Sequence, residues 1–413
     1  PGQTIWALSD RGRDKLAVVK IDPRTGQETL FYSHPDVDVE GISFDHQTQQ
    51  PLFATISLPY PKTIPFDERI QRLLNLFQPK DRDFFSIQSM DQNLNRFIVS
   101  FSRGKIVPKT YAVDLPTNQV SHLSSPYLSR HEAALSETWP LTFNARDGMR
   151  IPAFITLPRG ANNRQLPMLV FVHGGPAGHD TWYTNSATQF LANRGYAVLR
   201  VNFRGSTGYG RAFQHAGFGE MGRKIQQDVY DATDWAINQG IADPNRIAII
   251  GASHGGYSAL MGAWQSGGRY KAAVSFAGVS DMERQTMEVP KFWELASHAW
   301  YRYSGDPKDP RVRQNLKAIS PINHAEKFNV PVLLIHGTKD RIVVPEDSYH
   351  MEKALRLASK QVTSLYLKGE EHGAVKWQSR IKMWRKIEKF LAKHIGGRNG
   401  GFDYTEIGAA FLR

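Results

Sequence analysis

The chain has 413 residues, no cysteine and a formal charge of +12. Its length and its 41% of apolar residues allow two domains with substantial cores. The absence of cysteine excludes disulfides, thiolate metal sites and a cysteine nucleophile, and no apolar run reaches the roughly 18 residues of a membrane-spanning helix.

The start of the chain and its composition bear on the compartment. The sequence begins PGQTIWALSD, without an initiator methionine or the segments of a signal peptide, so we expect that it begins after processing or truncation. A protein without cysteine suits a reducing compartment or a periplasm. We predict a cytoplasmic protein and leave a periplasmic or secreted one open.

The positive charge raises nucleic acid as a partner. However, the basic residues are scattered, and the densest group alternates with apolar residues in a pattern typical of the solvated face of an amphipathic helix. That group is Lys382, Arg385, Lys386, Lys389 and Lys393, interleaved with Ile381, Trp384, Ile387, Phe390 and Leu391. We expect neither nucleic acid nor a membrane as a partner.

Residues 1–130 are predicted to form short antiparallel strands. One helix interrupts them at Asp67 to Phe77, with Asp67 as its N-cap and Ile70, Leu73, Leu74 and Phe77 on one face. Such spacing is typical of β-propeller blades, and nine strands make about two blades, too few to close a propeller. The nine are TIWALSD, LAVVKID, ETLFYS, GISFD, PLFATIS, FFSIQSM, RFIVSFS, KTYAVDL and QVSHLSS. We therefore predict the C-terminal blades of a larger propeller.

Residues 131–397 are predicted to be an α/β domain, and residues 398–413 a C-terminal tail. Continuous apolar strands alternate here with helices, which predicts a mostly parallel, doubly wound sheet with its functional residues past the C-terminal strand ends. The strands are IPAFITLP, MLVFVHGG, YAVLRVNFRG, RIAIIGAS, KAAVSFAG, VPVLLIHG and TSLYLKG, and the helices include GRKIQQDVYDATDWAINQG and PEDSYHMEKALRLASK.

The stretch Gly251-Ala252-Ser253-His254-Gly255 matches G-x-S-x-G, the nucleophile elbow, in which a strand-to-helix turn presents a serine hydroxyl. Two other interpretations are a tight packing turn and an anion-binding turn at a helix N-terminus. The hydroxyl also needs a base. Asp340 and His372 follow in the expected order, each in a loop after a strand. We predict Ser253 as nucleophile, His372 as general base and acid, and Asp340 as the orienting carboxylate.

Weaker candidates exist for the acid and the base. Glu346 and Asp347 begin the next helix, where carboxylates usually cap. His350 lies within that helix, and His336 ends a strand. We interpret both histidines as structural.

The oxyanion hole is predicted to use backbone N–H groups of His254 and of Gly174 and Gly175 in the stretch FVHGGPAG. We interpret the His173 side chain as structural, because backbone amides suffice. The stretch NFRGSTGYG lacks the Gly-Lys-Ser/Thr of a nucleotide loop and is predicted to be a structural turn. No metal or other cofactor is implied.

These motifs resemble the catalytic domain of the prolyl oligopeptidase (S9) family of serine peptidases over about residues 135–395. The stretches that carry the resemblance are HGGP, LANRGYAVLRVNFRGSTGYG, DVYDATDWAINQG, GASHGGYSAL, SFAGVSD, SPINHAEKFNVPVLLIHGTKDRIVVP and EEHG. The resemblance implies an α/β-hydrolase fold, a propeller that caps the active site and excludes folded proteins, cleavage of short peptides, and the same triad.

The chain departs from some members at three points. His173 stands where several have a tyrosine of the oxyanion hole, as in acylaminoacyl-peptidase-like members, and Ile342 replaces a polar residue after the acid. The glutamates that bind a free amino terminus in dipeptidyl peptidases are not identifiable. Preference for proline is therefore not supported.

A substrate pocket is predicted from Lys291 to Pro307, where Phe292 joins other aromatic residues, although this spacing also fits a helix core. The candidate pocket residues are Tyr257, Trp293, Trp300, Tyr301 and Val343.

Three hypotheses follow. The first is a serine peptidase acting on short peptides, of acylaminoacyl or dipeptidyl type. The second is a carboxylesterase with the same triad, and the third is an inactive propeller-based binding module. The expected partners are a peptide or small ester, with a further propeller segment or a second copy of the chain as possible protein partners.

Overall fold

The computed structural model of the chain describes residues 5–103, 107–183, 185–289, 291–401 and 405–406. It divides into two compact units. The first comprises residues 1–140, 181–189 and 207–214, and the second residues 141–180, 190–206 and 215–413. The predicted domain boundaries at residues 130 and 397 stay predictions, and residues 402–404 and 407–413 of the predicted tail lie outside the described residues.

The early part of the chain is built from small antiparallel sheets. Its elements are β1 Ile5–Ser9, β2 Ala17–Ile21, β3 Glu28–Tyr32, β4 Gly41–Phe44, β5 Pro51–Ile56, β6 Lys62–Pro65, α1 Glu68–Phe77, β7 Phe84–Met90, β8 Arg96–Ser102, β9 Lys109–Asp114 and β10 Gln119–Ser124. They form sheets of order β1-β2-β3, β4-β5-β6 and β10-β9-β8-β7. The described strands thus make three sheets, where the nine predicted segments indicated about two blades.

The additional strand is β6. It was not predicted from the sequence because its prolines are typical of a turn. β6 pairs antiparallel with β5, with Phe53 opposite Pro65. It lies at the edge of its sheet, a position where proline is tolerated because no neighbouring strand needs its missing N–H.

Helix α1 confirms the prediction from spacing and capping. The Asp67 carboxylate accepts the N–H of Arg69 at 2.8 Å, which fixes the start of the helix. The predicted apolar face is buried, and it packs with residues of β5, β7, β8 and β9 into one core. The buried residues of the helix are Ile70, Leu73, Leu74 and Phe77.

The later elements alternate between strands and helices. They are β11 Thr138–Asn144, β12 Arg150–Thr156, β13 Leu166–Val172, α2 Ser186–Asn193, β14 Ala197–Val201, α3 Arg211–His215, α4 Lys224–Asn238, β15 Ala242–Ala252, α5 His254–Gln265, β16 Ala272–Phe276, α6 Met282–Met287, α7 Glu294–Ser304, α8 Pro310–Ala318, β17 Val332–Gly337, α9 Glu346–Leu357, β18 Val362–Leu367 and α10 Trp377–Ile395. Short 3₁₀ helices span Tyr127–Ala134, Lys291–Trp293 and Pro321–Lys327.

These strands form one eight-stranded sheet, in the order β11-β12-β14-β13-β15-β16-β17-β18. Strands β13 to β18 run parallel, and β12 pairs antiparallel with β14. This confirms the prediction of a mostly parallel sheet. Since parallel strands end at the same edge, the turns after β13, β15, β17 and β18 meet there.

The sheet is buried under apolar side chains of its helices. One face packs on α2 and α10, where Leu169, Ile250 and Leu333 of the strands meet Leu191 and Leu391 of the helices. Helix α5 packs against β15 and β16. In the described residues, no helix combines the length and apolar character that crossing a membrane requires.

Candidate active site

Ser253 lies at a sharp turn between a strand and a helix. β15 ends at Ala252, α5 begins at His254, and Ser253 between them has φ 58° and ψ −122°. A positive φ is costly for a residue with a Cβ and persists only where the surroundings impose it. The N–H of Ser253 donates to the carbonyl of Phe276 at 2.9 Å, which ties the turn to β16. This is the geometry of a nucleophile elbow.

The glycines on either side of Ser253 allow two backbones to approach closely. A Cβ added at Gly251 would collide with the backbone of Gly255. A Cβ at Gly255 would collide with the carbonyl of Val172, at the end of β13. The spacing in G-x-S-x-G is therefore a packing requirement of this turn.

Asp340 and His372 lie together at the same edge of the sheet. Oδ2 of Asp340 is 2.6 Å from Nδ1 of His372, a distance typical of a strong charge-assisted hydrogen bond. Asp340 follows β17 and His372 follows β18, and these strands are parallel neighbours. Gly337 ends β17, and a Cβ there would collide with the carbonyl of Glu371. The loop that carries His372 can therefore pack against this strand end only because residue 337 has no side chain.

The carboxylate of Asp340 is buried, with 4% of the residue exposed. Burial raises the pKa of this carboxyl, but hydrogen bonds from His336, His372 and the backbone lower it by more, so the pKa lies well below its ordinary value. Oδ1 accepts the N–H groups of Ile342 at 2.9 Å and Val343 at 3.1 Å. Asp340 therefore stays ionised and can orient the imidazole of His372 through Nδ1, which leaves Nε2 for proton transfer.

The loop after β13 approaches Ser253. A Cβ built on Gly174 would lie 3.5 Å from Cβ of Ser253, so the backbone of this loop runs beside Ser253. The ring of His173 stacks on Phe203 with centroids 4.3 Å apart, and its nitrogens lie 2.8 Å from the carbonyl oxygen of Gly174 and 3.0 Å from Oγ of Ser206. Burial lowers the pKa of His173, so this ring is neutral near pH 7.

The far end of the same loop is fixed by a pair of reciprocal hydrogen bonds. The N–H of Asp180 donates to Oδ1 of Asn202 at 2.7 Å, and Nδ2 of Asn202 donates to the carbonyl of Asp180 at 2.9 Å. The predicted donors Gly174 and Gly175 thus lie in a loop held at both ends.

The predicted donor on the other side is the backbone N–H of His254. The side chain of His254 is buried against Phe203 and Tyr257, with ring centroids 5.2 and 5.8 Å apart. Burial lowers the pKa of its imidazole to about 3, helped by the nearby His173. The ring is therefore neutral near pH 7 and buried away from solvent, and the backbone N–H of His254 stays the predicted oxyanion donor.

Comparison with known protein families shows which family the chain belongs to. Residues 182–398 match the model described as the prolyl oligopeptidase family. The chain belongs to the prolyl oligopeptidase family. The prediction made from the motifs is confirmed.

Relatives and solved structures agree with this assignment. The chain is 29% identical over 413 residues to dipeptidyl aminopeptidase BIII of Pseudoxanthomonas mexicana, covering 98% of this chain and 60% of the relative. It is 26% identical over 235 residues to the acylamino-acid-releasing enzyme of Arabidopsis thaliana, covering 56% of this chain and 31% of that enzyme.

Among solved structures, a puromycin-hydrolyzing peptidase of Mycobacterium tuberculosis superposes with a TM-score of 0.80 at 21% identity, over 97% of this chain and 61% of that one. The fold is thus an α/β-hydrolase fold preceded by an all-β partial propeller, as predicted. The chain spans about 60% of the length of the first relative and of this structure.

The predicted pocket residues of this family member occupy two kinds of position. Tyr257 and Trp300 are buried and hold contacts of their own: the Tyr257 hydroxyl donates to the carbonyl of Ile319 at 3.1 Å, and Nε1 of Trp300 donates to Oγ1 of Thr286 at 3.1 Å. Val343 is also buried. Trp293 and Tyr301 are partly exposed. Their role in a substrate pocket stays a prediction.

Of the weaker candidates for acid and base on α9, one is buried with partners of its own and two are exposed. Asp347 is buried and accepts the N–H of Ser280 at 2.8 Å, and it pairs with Arg284. Burial raises the pKa of Asp347. Glu346 and His350 are exposed on α9.

The stretch NFRGSTGYG carries a buried ion pair. Arg204 donates to the carboxylates of Asp228 and Asp147, each at 2.7 Å. Asp228 lies on α4 and is fully buried. These contacts support the interpretation of this stretch as structural.

Sequence reasoning missed the contact of His336 with the predicted acid. Nε2 of His336 lies 3.3 Å from Oδ2 of Asp340, and both side chains are fully buried. A histidine four residues before the acid at a strand end was the available signal, but the direction of its ring depends on the turn between them.

Proposed function

We propose that the chain carries the catalytic unit of a serine peptidase that hydrolyses short peptides through Ser253, His372 and Asp340. The observation that carries this proposal is the contact of 2.6 Å between Nδ1 of His372 and the ionised carboxylate of Asp340, at the sheet edge where the Ser253 elbow also lies. Family membership supports it independently.

In the proposed reaction, Oγ of Ser253 attacks the scissile carbonyl carbon while its proton passes to Nε2 of His372. The carbonyl oxygen becomes an oxyanion, which the N–H of His254 and an N–H of the Gly174–Gly175 loop stabilise. His372 then gives the proton to the leaving amine, and the acyl-enzyme forms. A water molecule attacks the ester by the same route, and Ser253 recovers its proton.

The charge of Asp340 has a definite role in these steps. The ring of His372 becomes positive while it holds the serine proton, and a carboxylate on Nδ1 stabilises that charge and keeps Nε2 directed at the reacting atoms. Since the pKa of Asp340 lies well below its ordinary value, the carboxylate remains charged throughout the neutral range.

We propose cleavage from the amino terminus of short peptides, with release of a dipeptide as the preferred mode. The support is the relative that matches 98% of this chain, a dipeptidyl aminopeptidase. Removal of an acylated amino acid is the alternative, supported by the likeness to the acylamino-acid-releasing enzyme over a shorter segment. The predicted cytoplasmic location stays a prediction.

The test compares the wild type with Ser253→Ala on three substrates: a dipeptidyl anilide with a free amine, an N-acetyl-aminoacyl anilide and a short p-nitrophenyl ester. We expect anilide hydrolysis by the wild type and a loss of at least about 1,000-fold in kcat in the variant, with the dipeptidyl anilide preferred. Preference for the acetylated anilide would assign the alternative type.

Two results would contradict the proposal. Cleavage of the ester alone would make the chain an esterase. Equal rates for the wild type and Ser253→Ala, together with no labelling of Ser253 by a fluorophosphonate, would indicate a binding module without hydrolase activity.

A further inference from the structure

His336 has polar partners at both ring nitrogens in a site closed to solvent. It lies in β17 and is fully buried. Nε2 is 2.8 Å from the carbonyl oxygen of Val343, and Nδ1 is 2.7 Å from Oγ of Ser348, in the first half of α9. The same Nε2 is 3.3 Å from Oδ2 of Asp340. The ring of His336 thus connects the end of β17 with the turn that carries Asp340 and with helix α9.

The partners of the ring determine its tautomer. A carbonyl oxygen accepts hydrogen bonds and never donates them, so Nε2 must carry a proton. In the neutral ring Nδ1 is then an acceptor, and the Ser348 hydroxyl donates to it. Ser348 therefore keeps the N–H of His336 directed at Val343 and Asp340.

This arrangement leaves the carboxylate of Asp340 one orientation. Oδ1 accepts the N–H groups of Ile342 and Val343, and Oδ2 lies between the rings of His336 and His372. Rotation of the carboxylate would break contacts at both oxygens. The Nε2–H of His336 donates its shorter bond to the carbonyl of Val343 at 2.8 Å, and the same nitrogen faces Oδ2 of Asp340 at 3.3 Å. Because Oδ2 is ionised, this second, longer contact contributes to fixing the oxygen.

We propose that His336 is a positioning residue for catalysis, whose Nε2–H holds Oδ2 of Asp340 in the orientation that His372 requires, with Ser348 fixing its tautomer. The inference rests on the proposed function, since it assigns a role relative to the acid and base of that reaction. His336 acts through Asp340 and does not touch the substrate.

If His336 had only a structural role, its replacement would have different effects. His336 would contribute to stability through burial and through its bonds to Val343 and Ser348, and its replacement would leave the Asp340 to His372 hydrogen bond as it is. The two roles can be distinguished by the resonance of the His372 Nδ1 proton. Replacing His336 shifts this resonance only if His336 positions Asp340.

The test uses two variants of similar polarity. In His336→Gln the side-chain amide can place an N–H near the position of Nε2, whereas the shorter side chain of His336→Asn reaches only the position of Nδ1. His350→Asn, at an exposed histidine of α9, is the matched control. Each variant of the 413-residue chain is measured for the second-order rate constant of fluorophosphonate labelling, the low-field proton resonance of His372 Nδ1–H, and thermal unfolding.

We expect His336→Asn to lower the labelling rate constant by about tenfold or more and to displace the resonance. His336→Gln should restore the rate to within about threefold of the wild type and return the resonance toward its original position. His350→Asn should match the wild type in both. Should His336→Asn fail to fold, Ser348→Ala removes only the donor to Nδ1, and we expect it to lower the labelling rate constant by about threefold and to shift the same resonance.

The inference is overturned if a folded His336→Asn, or Ser348→Ala in its place, keeps the wild-type resonance and labelling rate. It is also overturned if His336→Gln and His336→Asn lose rate equally with no shift in the resonance. A wild type that labels no faster than Ser253→Ala would instead contradict the proposed function, so the two failures are distinguishable.

Discussion

Four donors surround the carboxylate of Asp340: the N–H groups of Ile342 and Val343 on Oδ1, and the ring nitrogens of His336 and His372 at Oδ2. Burial opposes the charge, and these donors more than offset it, so the pKa falls below its ordinary value. In the unfolded chain the same carboxyl is surrounded by water and titrates near pH 3.9. Asp340 therefore binds a proton less readily in the folded protein.

This difference predicts a pH-dependent stability. Because the folded pKa lies below the unfolded one, ionised Asp340 stabilises the fold above about pH 4, and the contribution is lost as the pH falls toward the folded pKa. Asp340→Asn cannot ionise, so we expect its deficit in free energy of unfolding to be largest near pH 7 and to shrink below about pH 4. Urea unfolding at a series of pH values measures the deficit.

The control for this prediction is Asp36→Asn, at an exposed aspartate. It should differ little from the wild type at any pH. A deficit of Asp340→Asn that stays constant from neutral to acid pH would contradict the assignment of a lowered pKa.

The residues of the candidate site could be predicted where a motif or an order along the chain identifies them. Ser253 follows from G-x-S-x-G, and Asp340 and His372 follow from their places after strands. The contact of His336 could not be predicted, because a buried histidine at a strand end is compatible with many ring directions. Only the turn from Gly337 to Val343 brings Nε2 against the carboxylate.

At the scale of elements, the junction between β15 and α5 depends on the absence of side chains. A Cβ at Gly255 would collide with the carbonyl of Val172, at the end of β13, and the next closest atom outside that residue is the carbonyl oxygen of His173 at 3.1 Å. Backbone atoms of a central strand cannot move aside as a flexible side chain can. The Ser253 turn and the loop that begins at His173 are therefore packed against each other through this glycine.

Gly255→Ala should destabilise the protein by about 2–4 kcal/mol, because one methyl group forces the helix away from β13. The measurement is the free energy of unfolding in urea. Gly373→Ala is the matched control for stability, since a Cβ there meets no atom within 4 Å. Equal stability of the two variants would show that the junction tolerates the methyl group.

The elements themselves were predictable to different degrees. Long apolar strands such as β13 and β17 are recognisable because both faces are buried. β6 was not predicted because Pro61 and Pro65 are typical of a turn. An edge strand nevertheless tolerates both prolines. β11 also escaped: its residues are mostly half-exposed, so it lacks the continuous apolar run used to identify the others.

At the scale of the whole molecule, the chain has a net charge of +12. Some of its basic residues form ion pairs with specific acidic residues at the C-terminal helix. Ile387, Phe390 and Leu391 of α10 are buried, as the amphipathic pattern predicts. The basic residues are not all free in solvent: Arg385 pairs with the buried Glu388, which also accepts from Arg194 and from the N–H of Gly400 at 2.7 Å. Glu388 thus joins α10, the end of α2 and the chain beyond α10.

Glu388→Gln should lower the free energy of unfolding by about 2–4 kcal/mol, because Arg194 loses its buried anionic partner and Arg385 keeps only Glu406. Thermal and urea unfolding at neutral pH measure the loss. Glu326→Gln, at an exposed glutamate, is the control and should change stability by less than about 0.5 kcal/mol. A loss no larger than in the control would mean that the arginines find other partners.

The strand order of the large sheet also governs when the site can form during folding. Asp340 and His372 belong to turns after β17 and β18, whereas Ser253 follows β15, and β16 lies between β15 and β17 in the sheet. Every one of these neighbours is joined by a parallel crossover, so each pairing closes a long loop and is kinetically slow. No local segment can assemble the serine, carboxylate and imidazole on its own. We therefore expect the reactivity of Ser253 proposed above to appear late in folding, after β18 has docked on β17.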